Sequence, residues 1–197
     1  MMQFSAEKLK DQIPFYLTKE RQEGLMKALE DFPRKIDYYL DDYKDDLLQG
    51  DGWTALDVIQ FETGDRKNIR GIVLSNSCDI SEANERALPP RLVFAPLIRL
   101  QRFVEALKVE GLKNETIEAK LTSIRNQEVT TVFYLPQGGQ LDSEYIALLD
   151  DLHTIPVKHF AEKGDRTKLF TLGMAGFYLF LFKLSVHFCR FHENVAR

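Results

Sequence analysis

Cysteine is scarce in this chain. Its 197 residues hold only two, Cys78 and Cys189, far apart and without metal-type pairing, which points to a reduced, cytoplasmic setting. Long apolar runs are missing as well. The most apolar window, "LGMAGFYLFLF", covers eleven residues before Lys183 closes it, well short of the ~20 that span a bilayer. It reads as a buried helix, and no membrane association is expected. The opening stretch "MMQFSAEKLKDQIPF" lacks the apolar core of a secretion signal. No glycine-rich phosphate loop of the P-loop or dinucleotide type occurs, and His153 and His159 stand six apart across Pro156 with no HxxxH or paired Cys/His spacing. Neither a metal nor a cofactor is expected. Positive charge is not in excess either: 26 Lys and Arg face 30 Asp and Glu, a net charge of −4. That argues against a surface wholly given to nucleic acid and leaves room for a local basic patch.

What is present is the composition of an ordinary globular protein, 44% hydrophobic and 28% charged, with an aromatic-rich core expected from 14 Phe and 7 Tyr. The length suits one decorated domain spanning residues 1–197. Acid is uneven, since "DYYLDDYKDDLLQGD" gathers Asp37, Asp41, Asp42, Asp45, Asp46 and Asp51. Such a run reads as a solvated connector. There is no internal repeat and no low-complexity tract.

The hydrophobic period divides the chain. Residues 5–31 read as a helical hairpin, with Ser5 and Thr18 as caps and Pro14 as a break, within a helical N-terminal region over 1–48. At "GDGWTALDVIQF" the period changes to that of strands, "TGDRKN" turns the chain, and residues 70–74 form a second strand. "RLVFAPLI" reads as a third. Residues 99–126 return to helix as an insertion, with a turn at Gly111. "EVTTVFYLP" and "SEYIALLDDLHTIP" supply two or three more strands. A long helix, capped by Thr171, closes the chain over 171–195. Short strands never separated by regular crossover helices predict an α+β fold with a small antiparallel barrel over 50–160. Its expected core includes Trp53, Val58, Ile72, Leu74, Val93, Phe133, Ile146, Phe177 and Leu184.

The runs "QGDGWTALDVIQF", "NIRGIVLSNS", "RLVFAPLI" and "SEYIALLDDLHTIPVKHF", about half the chain, together resemble the SH3-like barrel of the MazF/PemK toxins. In that family a Gly-Asp turn precedes the first strand, the second carries an Arg and ends in Val-Leu-Ser, and the third ends in Ala/Pro-Ile-Thr. The resemblance implies an endoribonuclease of a toxin–antitoxin or phage-defence kind, acting without metal on RNA, with Arg70 and Ser75 at the Arg and strand-end Ser positions. Two positions depart from the pattern: the Thr position falls near Ile98, and Gly71 follows Arg70 where the family commonly has Pro. The N-terminal helices, the insertion and the C-terminal helix lie outside it.

The densest chemistry sits at one strand end, in "RGIVLSNSCDISEANER". RNA cleavage through its own 2′-hydroxyl needs a base, an acid and stabilisation of phosphorane charge. Arg70, Ser75 and Asp79 are the candidates, with Asn76, Ser77 and Cys78 as binding groups. The same residue types also hydrogen-bond their own backbone at strand ends. On the C-terminal helix, Lys183, His187, Arg190 and Asn194 follow one another along one stripe. They form either the wet side of a helix whose other side carries Leu184, Phe188 and Phe191, or a cationic wall beside the strand-end loop. In the second case His187 joins the catalytic set, and Lys183 and Arg190 the binding set. Three readings stay open: an RNA-acting enzyme or binder, a non-catalytic module of the same fold that binds a protein partner, and a cysteine enzyme in which Cys78 meets His187. A homodimer is compatible with each.

Overall fold

The computed structural model describes residues 23–24, 26–27, 36–81, 83–84 and 87–188. The expected N-terminal hairpin falls largely outside these residues, as do Cys189, Arg190 and the end of the expected C-terminal helix. Eight antiparallel strands form one curled sheet, a half-barrel. They are β1 (Tyr39–Leu40), β2 (Gly52–Ile59), β3 (Arg66–Val73), β4 (Arg91–Arg99), β5 (Val132–Leu135), β6 (Tyr145–Leu148), β7 (His153–Pro156) and β8 (Lys168–Leu172). Their spatial order is β1-β8-β2-β3-β4-β6-β5, with β7 pairing β4 off this path. From residue 36 on, the described residues place these helices on it: α1 (Ser77–Ile80), α2 (Leu100–Val109), α3 (Asn114–Arg125), α4 (Val157–Glu162) and α5 (Met174–Phe188). None among the described residues is long and apolar enough to cross a membrane.

The strand β4 organises the sheet. One of its edges pairs with β3 through Phe94, Ala95 and Pro96. Its other edge serves two partners in turn, β7 from Arg91 to Phe94 and β6 from Leu97 to Arg99. Pro96 lies between those two pairings, where a residue without an N–H interrupts no ladder on that edge. On β2 a bulge between Trp53 and Leu56 places Ala55 at φ 53°, bending the strand. Lys163 and Arg166 hold this unusual backbone by reaching the Ala55 carbonyl, each at 3.3 Å. The sheet curls until its ends approach: Tyr39 donates to the Pro136 carbonyl at 2.6 Å, and the Gln140 N–H to the Leu169 carbonyl at 2.7 Å.

Three apolar clusters fill the fold. Ile72, Phe133, Leu135, Tyr145 and Phe170 lie under α5. Trp53, Leu56, Val58, Phe94 and Phe160 pack beneath α4, and Val104, Ile117, Leu121 and Ile146 seat the helical insertion. That insertion is observed as α2 and α3, with Gly111 at φ 78° ending the first helix, the left-handed position that favours glycine. Of the expected core, Trp53, Val58, Ile72, Phe133 and Ile146 are buried, while Leu74, Val93, Phe177 and Leu184 are partly so.

Three expectations change. The sheet extends beyond 50–160 to take in β1 and β8. Thr171 is a buried residue of β8, not a helix cap, and α5 begins only after Gly173. Asp51, counted among the solvated acids, is fully buried and pairs with Lys168 at 2.8 Å.

Gly71 stands where β2, β3 and β4 press together. A Cβ there would lie 2.7 Å from Leu56 Cδ1, 2.9 Å from Phe94 Cδ2 and 3.0 Å from the Ala95 carbonyl. Gly71→Ala should therefore cost about 1–3 kcal/mol and lower the melting temperature by ~2–4 °C per kcal/mol. Gly164→Ala, with nothing within 4 Å of its Cβ, should melt close to the parent.

Candidate functional site

The polar loop that follows β3 is tied to backbone. Ser75 Oγ accepts the Val93 N–H at 2.8 Å and donates to the Arg91 carbonyl at 3.3 Å. It thereby continues the pairing of β3 with β4 past the strand end. Asn76 caps α1, its Oδ1 accepting the Cys78 N–H at 2.9 Å. Ser77 Oγ accepts the Gln49 N–H at 2.9 Å, and Gln49 Nε2 donates to the Leu74 carbonyl at 2.7 Å. Cys78 and Asp79 are exposed on α1. The hydroxyls and the amide of this loop are spent on holding a turn, the use these residue types most often find at strand ends.

Arg70 belongs to a different neighbourhood, ~16 Å along the strand direction from Ser75 at the usual rise per residue. Its guanidinium lies over the Tyr145 ring, 5.5 Å from the centroid, donates to the Tyr145 hydroxyl, and stands 4.0 Å from Asp142 Oδ1. Arg99 converges on the same two residues. Its Nε donates to the Tyr145 hydroxyl at 3.1 Å and its Nη2 to Asp142 Oδ2. Register explains the meeting, because Arg99 and Tyr145 are direct cross-strand partners between β4 and β6, and Gly71, next to Arg70, pairs with Pro96 of β4. The Tyr145 hydroxyl in turn donates to Asp142 Oδ1 at 2.9 Å. One donation and two acceptances exhaust a phenol's capacity, so Tyr145 is the clasp that sets two guanidiniums side by side.

Arg70, Arg99 and Tyr145 line a cleft of about 390 Å³, to which Arg102 of α2 adds a third guanidinium. The hydrogen bond from Tyr145 and the one from Arg99 hold the Asp142 carboxyl below the usual carboxylate range, while the bonds Arg99 makes to Tyr145 and to Asp142 raise Arg99. Behind them Arg125 grips Glu144 through two bonds of 2.8 Å, and Tyr134 donates to the same carboxylate at 2.6 Å. The Arg125 bonds lead in lowering that carboxyl. Three guanidiniums on one cleft, two of them held by Tyr145 and Asp142, suit an anion with several oxygens, such as a phosphate group. Arg70 alone of the sequence-expected residues lines this cleft. Arg99, Arg102, Asp142 and Tyr145 carried no motif, and only the strand register brings them together. Among the described residues no group of three or more His, Cys, Asp or Glu could hold a metal ion.

The stripe expected on the C-terminal helix faces inward at its first two members. Lys183 is fully buried, its ammonium donating to the Gln127 carbonyl, and His187 Nδ1 lies 3.1 Å from the Thr130 carbonyl. Phe188, assigned to the dry side, is 55% exposed. Leu184, on the expected dry side, does pack against the core, so the buried face of α5 is wider than expected and takes in Lys183, where the helix docks on the loop carrying Gln127, a buried residue at φ 59°. That amide is itself held by Tyr134: its Nε2 donates to the Tyr134 carbonyl at 2.8 Å and its Oε1 accepts the Tyr134 N–H at 3.1 Å.

No protein-family model matches the chain, and no curated protein matches it. The functional reading therefore rests on the residues themselves.

Burial lowers the Lys183 ammonium to about 7, against the opposing pull of Glu128. An unfolded lysine keeps its proton to about 10.4. Between those values the unfolded chain binds the extra proton, so stability should rise with pH, by up to about 1.4 kcal/mol per unit. Below pH 7 both states hold the proton and this contribution is flat. Denaturant melts from pH 6 to 9.5 should show the rise in the parent chain and its loss in Lys183→Met.

Proposed function

We propose that this protein binds RNA through phosphodiester groups seated in the cleft of Arg70, Arg99 and Arg102, as an RNA-acting protein of the MazF/PemK kind. In this reading the curled sheet is an SH3-like barrel, and the setting is that of a toxin-like or phage-defence component. The observation that carries it is the lining of one cleft by three guanidiniums, from β3, β4 and α2, two of which share the Asp142 carboxylate. A guanidinium presents a planar fork of donors matched to phosphate oxygens. Two such forks are already held side by side by one phenol, and a phosphate has only to displace Asp142 to reach both. Asp142 then has a second part, as the anion that occupies the pair until a phosphate replaces it.

A second reading, a protein partner, draws on the tip of the β2–β3 hairpin, where Phe61 is 97% and Ile59 61% exposed. A partner covering that tip would leave the arginine cleft open, so the two readings separate by mutation. Phe61→Ser should leave RNA binding unchanged if the cleft is the site.

Fluorescence anisotropy with a labelled single-stranded RNA of mixed sequence tests the first reading. Arg70→Ala and Arg99→Ala should each weaken binding roughly tenfold or more, the scale of one lost charge-assisted hydrogen bond. Arg102→Gln should weaken it less and reduce the slope of log affinity against log salt by ~0.7, the value for one phosphate contact on a single strand. Equal affinity in all three variants would remove the cleft from the binding site.

A further inference from the structure

A second cleft, of about 630 Å³, opens where β7 runs into α4, and its walls include both His153 and His159 together with Arg66, Arg91 and Thr154. Each imidazole is set by its own carboxylate. His159 Nε2 lies 2.8 Å from Asp57 Oδ2, and His153 Nε2 lies 3.1 Å from Asp151 Oδ1. A carboxylate on one ring nitrogen places the proton there and orients the ring, leaving the other nitrogen, Nδ1, for a substrate. Neither Nδ1 has a hydrogen-bond partner among the described residues. Both rings keep access to solvent, with side chains 25% and 50% exposed.

The supports of the two rings come from separate parts of the fold. Asp57 on β2 is held by Lys163 at 3.0 Å and by Arg166 at 3.0 Å, so His159 faces a carboxylate that cannot swing away. His153 stacks on Phe94 with ring centroids 5.8 Å apart. Arg91 is pinned by two bonds of 3.1 Å to Thr154, through Nε to Oγ1 and through Nη2 to the carbonyl. Arg66 completes the wall from β3.

We infer that this cleft is a general acid–base site that cleaves RNA, with His153 and His159 as the catalytic residues and Arg66 and Arg91 as the groups that receive the phosphorane charge. The inference rests on the RNA reading above and adds the chemistry to it. One imidazole takes the proton of a 2′-hydroxyl as O2′ bonds to the adjacent phosphorus. The P–O5′ bond breaks, and the other imidazole, entering protonated, gives its proton to the departing 5′-oxygen. The products are a 2′,3′-cyclic phosphate and a 5′-hydroxyl, with no water, metal or redox partner consumed. Proton transfer by placed groups contributes ~10²–10⁴ in rate.

Placement supports a shared ligand. Arg66 lines this cleft and Arg70 the arginine cleft, four residues and ~13 Å apart along β3. Asn68, between them, lines the arginine cleft and also accepts from Lys163 at 2.7 Å in the Asp57 cluster. A single strand lying along β3 meets both sites.

The experiment incubates the full chain with end-labelled, mixed-sequence RNA in excess EDTA and identifies the product ends by mass spectrometry. We expect cleavage to 2′,3′-cyclic phosphate ends, no cleavage of DNA of the same sequence, and a loss of about 100-fold or more in kcat for His153→Gln and for His159→Gln, with RNA affinity retained. Arg70→Ala should raise KM and leave kcat nearly unchanged. RNA that is bound but left intact, or histidine variants that cut as fast as the parent, would overturn the inference and leave the binding reading standing. Absence of both binding and cutting removes the two together. Because His159 braces the Asp57 cluster, a variant there that unfolds is answered by the parent's own pH–rate profile. Two imidazoles acting as acid and base require a bell-shaped profile, read against Asp57, Asp151, Lys163, Arg66, Arg91 and Arg166, which surround them. A flat profile overturns the assignment.

Discussion

A carboxylate and an ammonium, both withdrawn from water, fasten the start of the sheet to its end. Asp51 precedes β2, Lys168 opens β8, and their atoms meet at 2.8 Å with side-chain exposures of 0% and 10%. Desolvation pushes the Asp51 carboxyl up, opposed by the bond from Lys168 and by the Leu48 N–H. Lys168 also donates to the Tyr43 carbonyl and Thr171 Oγ1, and lies 5.2 Å from the Trp53 ring centroid. Such a pair adds modest net stability, yet removing one partner strands the other charge and costs about 3–5 kcal/mol. Its effect here is positional. Once β8 is locked beside β2, β1 follows on its far edge, the Gln140 loop closes against Leu169, and α5 leaves β8 at the angle that buries Phe180 against Phe133.

With that frame in place, a chain of net negative charge concentrates its cations. The arginine cleft draws on β3, β4 and α2, and the histidine cleft on β2, β3, β4, β7 and α4. In both, a carboxylate serves the cations or imidazoles as a positioning device: Asp142 for Arg70 and Arg99, Asp57 for His159, Asp151 for His153. Net charge is therefore a poor guide to what such a surface attracts. The local potential depends on which acids are already engaged.

The strands β2, β4, β5 and β6 and the helical insertion were legible because their signals are local: β-branched runs, turn residues, and Gly111 at a left-handed position after a helix. Of β3 only the second half was, since residues 66–68, read as part of a turn, pair with β2. The strand β8 was not, because "KLFTL" runs into the apolar "LGMAGFYLFLF", and a short apolar run does not distinguish a strand from a buried helix. Only Gly173 marks the break. Asp51 and Lys183 were placed in water for the same reason, since residue type predicts the average environment and a specific partner overrides it. Arg70 could be singled out as a cation on a strand, but its company could not. Tyr145 and Arg99 lie far from it in sequence, and their meeting is a property of register.

The bulge at Ala55 works as a change of parity. Trp53 and Leu56 both face the core although they stand three positions apart, and Val58 keeps the new alternation. If every residue of β2 stayed but the bulge were ironed out, strict alternation from Trp53 would turn Asp57 toward the core in place of Val58, and the carboxylate that orients His159 would be lost to the interior. The length of β2 is thus coupled to the chemistry of α4. A register change of one residue between the bulge and Asp57 would turn that carboxylate away from His159, a constraint that ends before the hairpin tip beyond Ile59.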